Sequence, residues 1–176
     1  AREDLLVEVG RICRDFALDK VTKVVVGGAE RIHSVQAGLR EVRPDAALIA
    51  IHDGARPLVS QEIIRDTVAR AAITGAAAPA IPLTDTIKRE DGGLTVETVD
   101  RSQLWAVQTP QVFEAGLIRA ATQKALDDGE VLTDDCGAVE RLGMKVTLTS
   151  GSRENLKVTT TLDLIGGGDS AGQSGG

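Results

Sequence analysis

A short run, His52-Asp53-Gly54-Ala55-Arg56-Pro57, holds the residues best placed to do chemistry. It follows a continuous apolar stretch, Ala46 to His52, that reads as a buried strand. In an open parallel sheet, ligands bind beyond the carboxyl ends of the strands. An Asp directly after such a strand is placed to bind a metal or a ribose hydroxyl, and Arg56 follows three residues later on the same turn. An acid beside a fixed guanidinium suits a Mg²⁺-bound phosphorylated ligand. The same two residues can equally form a structural ion pair that ties the loop down.

Other residues carry weaker signals. Gly27-Gly28 admits close backbone approach by a ligand, or is simply a turn after a strand. Ser34 can cap a helix or touch a ligand, with capping the ordinary role. His52 reads as a packed, hydrogen-bonded histidine. Asp134 and Asp135 follow Thr133 and fit helix N-capping. Arg56, Lys88, Arg89, Arg101, Arg153 and Lys157 fall in loops and in an arm rather than along helix faces, so they can gather round an anion. The sequence holds no Ser-His-Asp pattern, zinc spacing, P-loop or GxGxxG.

The elements that must position these residues alternate. Helical spacing of apolar residues predicts helices over 3–16, 31–39, 61–74, 114–126 and 133–142. Buried strands are predicted over 21–26, 46–52, 76–82 and 145–149. Helices alternating with unalternating apolar strands predict an α/β fold with a doubly wound, mostly parallel sheet. Thr84–Arg89 and Leu94–Val99 flank Asp91-Gly92-Gly93, which predicts an antiparallel hairpin arm over about 84–100. Residues 1–165 then form one domain, which the resemblance given below makes a partial one, and the Gly-rich 166–176 a flexible tail.

Composition narrows the function classes. The chain has 176 residues, 42% of them apolar, enough for one domain with a sizeable core. Aromatics are 2% and the net charge is −6, which argues against nucleic-acid or anionic-membrane binding. Two cysteines without a CxxC pattern and no long apolar run predict reduced thiols in a cytoplasmic protein.

Beyond this the residues alone go no further, but their order resembles one family. VVVGGAERIHSV, IAIHDGARPLV, IPLTDTIKR, VDRSQLWAVQTPQVF, LTDDCGAVERLG and GSRENLKVT occur in sequence from about residue 20 to about 164. Together they resemble the 2-C-methyl-D-erythritol 4-phosphate cytidylyltransferases, with Gly54 where Ala is commoner. The resemblance implies a Rossmann-like nucleotidyltransferase fold and transfer of CMP from CTP to the polyol phosphate, releasing pyrophosphate. It implies nucleotide contacts from Gly28, Ala29, Ser34 and Asp53, although many members carry Asp at the position of Ala29. Asp53 would also hold Mg²⁺ or another divalent cation. Arg56, Thr86, Thr109 and Thr133 would contact the polyol phosphate, and Lys157 and Arg101 would act in catalysis. The arm would bind across a homodimer. Such a reaction needs reactants held in line and charge met by cations, and little covalent chemistry from the protein.

Ribitol-5-phosphate cytidylyltransferases have very similar motifs, and a non-catalytic dimerising fragment is a further alternative. The family's first strand and Gly-rich loop have no counterpart here, so about 60 to 70 residues are expected to be missing ahead of Ala1 at about 30 per strand–helix unit. The family's C-terminal helix is likewise expected to be replaced by the tail. The chain alone is therefore expected to show no easily measured activity, and a restored amino terminus to recover it.

Overall fold

The computed structural model describes residues 1–160 and Asp163; the tail expected over 166–176 and the replaced C-terminal helix lie outside these. The chain forms two compact units, one of Ala1–Ile49 with Glu114–Lys145 and one of Ala50–Phe113 with the chain from Val146.

The first unit is helical. A 3₁₀ turn, Glu3–Leu5, leads into α1 (Leu6–Asp15), followed by α2 (Arg31–Glu41), α4 (Ala115–Asp127) and α5 (Asp135–Arg141). Ile118, Ala121 and Ala125 recur at helical spacing on the buried face of α4, which packs on α2 and α5. Glu114 starts α4 by accepting from the Gly116 and Leu117 amides at 2.9 and 2.6 Å. These two bonds hold its carboxyl below the usual glutamate range. Arg119 satisfies the end of α2 by donating to the Leu39 and Val42 carbonyls at 2.6 and 3.0 Å.

The strand expected over Val21–Val26 does not form. A strand needs a neighbour to complete its ladder. Here the Ala1 amino group donates to the Val25 carbonyl, and the Gly27 amide to the Ala1 carbonyl, each at 2.8 Å. One residue cannot supply a ladder.

The second unit carries a sheet in the order β1 (Leu48–Ile51), β6 (Gln111–Glu114), β2 (Ala76–Pro82) and β5 (Trp105–Val107), with β7 (Thr147–Ser150) also paired to β2. The chain passes between units within β1. β2 runs parallel to β7 but antiparallel to β5 and β6, so the sheet is mixed. β5 and β6 escaped the sequence reading because they are three and four residues long and are joined through a cis Thr109–Pro110 peptide. On that side of β2, Pro79 lies between the β6 and β5 registers, where its missing N–H removes no ladder bond. Ala76, Ala77, Ala78 and Ala80 are buried, so β2 is a central strand of small side chains.

α3 (Gln61–Thr74) packs on β2 and β7. Ser60 caps it by accepting from the Ile63 amide at 3.2 Å, and Gly75 closes it in the left-handed region at φ 82°. The arm is a separate two-stranded sheet, β3 (Ile87–Asp91) with β4 (Leu94–Val99), bulged between Arg89 and Glu90.

Cys136 is buried and Cys13 half-buried, and neither is in a disulfide. Burial first, then the Asp134, Glu140 and Asp135 charges, push the Cys136 thiol far above its usual value. Iodoacetamide at neutral pH is therefore expected to label Cys13 in the folded protein and to reach Cys136 only in urea. Equal labelling of both thiols without denaturant would contradict this placement.

Candidate active site

The turn after β1 is built by its own backbone. The Arg56 amide donates to the Asp53 carbonyl at 3.0 Å, which closes the turn that carries both charged residues. The Val158 amide donates to the Ala55 carbonyl at 2.8 Å, which brings the neighbouring Lys157 to the same place from the end of the chain. Lys157 Nζ lies 3.1 Å from Asp53 Oδ2, and Arg56 Nε lies 3.8 Å from the same oxygen. The first is a close ion pair; the second is a longer charge contact, beyond hydrogen-bonding distance. The Asp–Arg pairing read from the sequence thus exists, with Lys157 as its third member.

Burial pulls the Arg56 guanidinium below the ordinary arginine value, and the Asp53 charge opposes that shift. Its Nη1 donates to the Asn155 carbonyl at 2.6 Å, while its buried Nε has no hydrogen-bond partner among the described residues. Asn155 is fully buried, and its Nδ2 donates to Thr109 O at 3.0 Å and to Gln108 Oε1 at 3.2 Å. Gln108 grips the following loop, donating to Ser152 O at 2.7 Å and accepting from the Ser152 amide at 3.2 Å.

Thr109 is also buried, and its Oγ1 accepts from the Asp53 amide at 3.0 Å. The same oxygen lies 2.9 Å from His52 Nδ1, while His52 Nε2 lies 3.2 Å from the Arg56 carbonyl. His52 is exposed, not packed as expected; bonds at both ring nitrogens fix it instead.

The other predicted residues form separate groups. Thr86 precedes β3 and is exposed; Arg101 donates through Nη1 to the Thr84 carbonyl at the base of the arm. In the first unit, the Gly28 amide donates to Ser34 Oγ at 3.1 Å, so Ser34 ties the loop to α2 rather than capping the helix. A Cβ on Gly28 would come within 2.2 Å of His33 Cβ, and one on Gly27 within 2.7 Å of Ser34 Oγ. The first turn of α2 therefore already demands Gly28, whatever a ligand requires, while at Gly27 only the Ser34 hydroxyl would have to turn aside. Ala29 and Thr133 are exposed.

Asp134 caps α5 by accepting from the Gly137 amide at 3.0 Å, as the spacing predicted. Asp135 does something else. It receives Arg31 in a two-pronged ion pair at 2.9 and 2.5 Å, which joins the first residues of α2 and α5. Neither that pair nor the Gln108–Asn155 network was read from the sequence. Asn155 lies within GSRENLKVT, and nothing local distinguishes a polar residue that will be buried.

Asp, Arg and Lys side chains gathered beyond a strand of an α/β sheet suit a phosphoryl- or nucleotidyl-transfer site. A family model described as "IspD: 2-C-methyl-D-erythritol 4-phosphate cytidylyltransferase" matches residues 7–167. The 2-C-methyl-D-erythritol 4-phosphate cytidylyltransferase of Halalkalibacterium halodurans is 45% identical over 165 residues, spanning 94% of this chain and 72% of that protein. The crystal structure of a 4-diphosphocytidyl-2C-methyl-D-erythritol synthase from Anaerococcus prevotii superposes with a TM-score of 0.86 at 29% identity, over 97% of this chain and 75% of that one. The Thermus thermophilus 2-C-methyl-D-erythritol 4-phosphate cytidylyltransferase superposes with a TM-score of 0.78 at 34% identity, over 84% and 72%. The chain belongs to the 2-C-methyl-D-erythritol 4-phosphate cytidylyltransferase family.

Proposed function

We propose that this chain forms the polyol-phosphate and metal side of a cytidylyltransferase site. A phosphate oxygen of 2-C-methyl-D-erythritol 4-phosphate attacks the α-phosphorus of CTP, the bond to the β-phosphate breaks, and pyrophosphate leaves. The observation that carries this reading is the convergence of Lys157 and Arg56 on Asp53 at the end of β1. Arg56 and Lys157 meet the substrate phosphate, with Arg101, Thr86, Thr109 and Thr133 as further contacts; Gly28, Ala29 and Ser34 lie along the nucleotide.

Asp53 fits a divalent cation in one respect. It offers a hard carboxylate on a side chain that is only 18% exposed, and Mg²⁺ is ordinarily held by one or two carboxylates together with substrate phosphates. Among the described residues no three His, Cys, Asp or Glu side chains gather, so the remaining ligands would come from the triphosphate and water. The cation would neutralise charge on the phosphates.

The reading includes a homodimer joined through the arm, where Leu94 and Val96 are exposed. It also includes a cytoplasmic location; among the described residues no helix is long and apolar enough to cross a membrane.

Calorimetry with CTP, UTP and ATP tests the nucleotide, and a preference for CTP is expected. Equal heats for all three would sink the proposal. Product analysis with methylerythritol phosphate and ribitol 5-phosphate then identifies the acceptor, and product from ribitol phosphate alone would replace it.

A further inference from the structure

We infer that His52 and Thr109 are positioning residues that lock the Asp53–Arg56 turn through a hydrogen-bond chain with a single polarity. This rests on the cytidylyltransferase reading of that turn. The donors and acceptors leave little choice. The Asp53 amide can only donate, so Thr109 Oγ1 accepts from it at 3.0 Å. The Arg56 carbonyl can only accept, so His52 Nε2, 3.2 Å away, carries the proton of that bond. In the neutral ring, Nδ1 then holds the lone pair and receives the Thr109 hydroxyl proton across 2.9 Å.

The chain therefore runs from the Asp53 N–H through Thr109 Oγ and His52 to the Arg56 carbonyl. It brackets the turn that the Arg56 amide closes on the Asp53 carbonyl. Both charged side chains project from inside this bracket. Thr109 is 4% exposed and its only hydroxyl proton is committed to His52, so that hydroxyl serves to hold Asp53. Thr109 is itself anchored, since Asn155 Nδ2 donates to its carbonyl at 3.0 Å. His52 is exposed, so its ring is kept for its two hydrogen bonds and not for packing.

The sequence holds two histidines, so His33→Gln leaves His52 as the sole imidazole signal. A long-range proton–nitrogen-15 correlation spectrum of the neutral ring is expected to show Nε2 protonated and Nδ1 bare. A ring protonated at Nδ1 overturns the chain as drawn.

Thr109→Val keeps the shape and removes the hydroxyl. It is expected to speed exchange of the Asp53 amide and to weaken CTP and polyol-phosphate binding roughly tenfold, the scale of one lost hydrogen bond. Thr109→Ser is expected to restore both. Should Thr109→Val fail to fold, His52→Phe breaks the chain at its other two links from an exposed position, with the same two losses expected because Thr109 Oγ1 loses the partner that orients it. Unchanged exchange and affinity in either variant, or no rescue by Ser, overturns the inference. Should the unaltered protein bind neither ligand, the cytidylyltransferase reading falls, and the tautomer and the Asp53 exchange still decide the chain.

Discussion

Lys157→Ala is expected to lower CTP-dependent pyrophosphate release on the order of 10²- to 10³-fold, the usual cost of one preorganised electrostatic group in such a site. The measurement belongs on whichever form turns over, this chain alone or this chain fused to a relative's amino-terminal segment. The size of the effect follows from place and freedom together. Lys157 Nζ is 3.1 Å from Asp53 Oδ2, yet its side chain is 48% exposed and so open to a substrate phosphate. Arg in its place keeps the charge but spreads it over a planar fork, so partial recovery is expected from Lys157→Arg.

A second role for Lys157 is merely to balance the charge of Asp53, and one comparison separates the two. Asp53→Asn removes the charge that would need balancing. If balance were the whole role, adding Asp53→Asn to Lys157→Ala would restore the polyol-phosphate affinity that the first change lost, although turnover would still lack the Asp53 carboxylate. If Lys157 meets the phosphate, the double variant stays as poor as the worse single one, since groups that act as a unit are not additive. Undiminished turnover in Lys157→Ala would remove the residue from the mechanism.

Two residues of this centre were legible because they lie close in sequence. Asp53 and Arg56 share one turn after an apolar strand, so spacing alone placed them together. Lys157 comes from the far end of the chain; its loop position marked it only as one of six cations that could meet an anion, and the family resemblance gave it a role before the fold brought it within reach of Asp53. The bounds of α3 and β2 follow the sequence closely because strong local signals agree there, a Ser60 cap, a left-handed Gly75 and a run of small apolar residues. Val21–Val26 had the composition of a strand but lacks a ladder, and β-propensity reports on neighbours more than on the residue itself. The ties made by Asn155, Gln108 and the Arg31–Asp135 pair are purely tertiary. Their partners stand 47 and 104 residues away, beyond any local pattern.

Asn155 sets the largest stability prediction. Its side chain is fully buried and faces two acceptors, Thr109 O and Gln108 Oε1, with its Nδ2. Asn155→Leu is expected to destabilise the fold by about 2–3 kcal/mol in urea unfolding, because Thr109 O loses its donor inside the protein. Removing Oδ1, which has no partner among the described residues, recovers part of that cost, which keeps the figure moderate. Asn155→Asp is expected to cost more at neutral pH, since it turns an acceptor toward two acceptors and buries a charge without a donor. Its deficit should shrink as pH falls, because a protonated carboxyl regains one donor while the native Asn does not titrate. Both variants should also weaken polyol-phosphate binding, because the Asn155 carbonyl holds the Arg56 guanidinium at 2.6 Å and moves with its own side chain. Leu and Asp variants as stable as the native protein would show that this buried amide is not what secures the site.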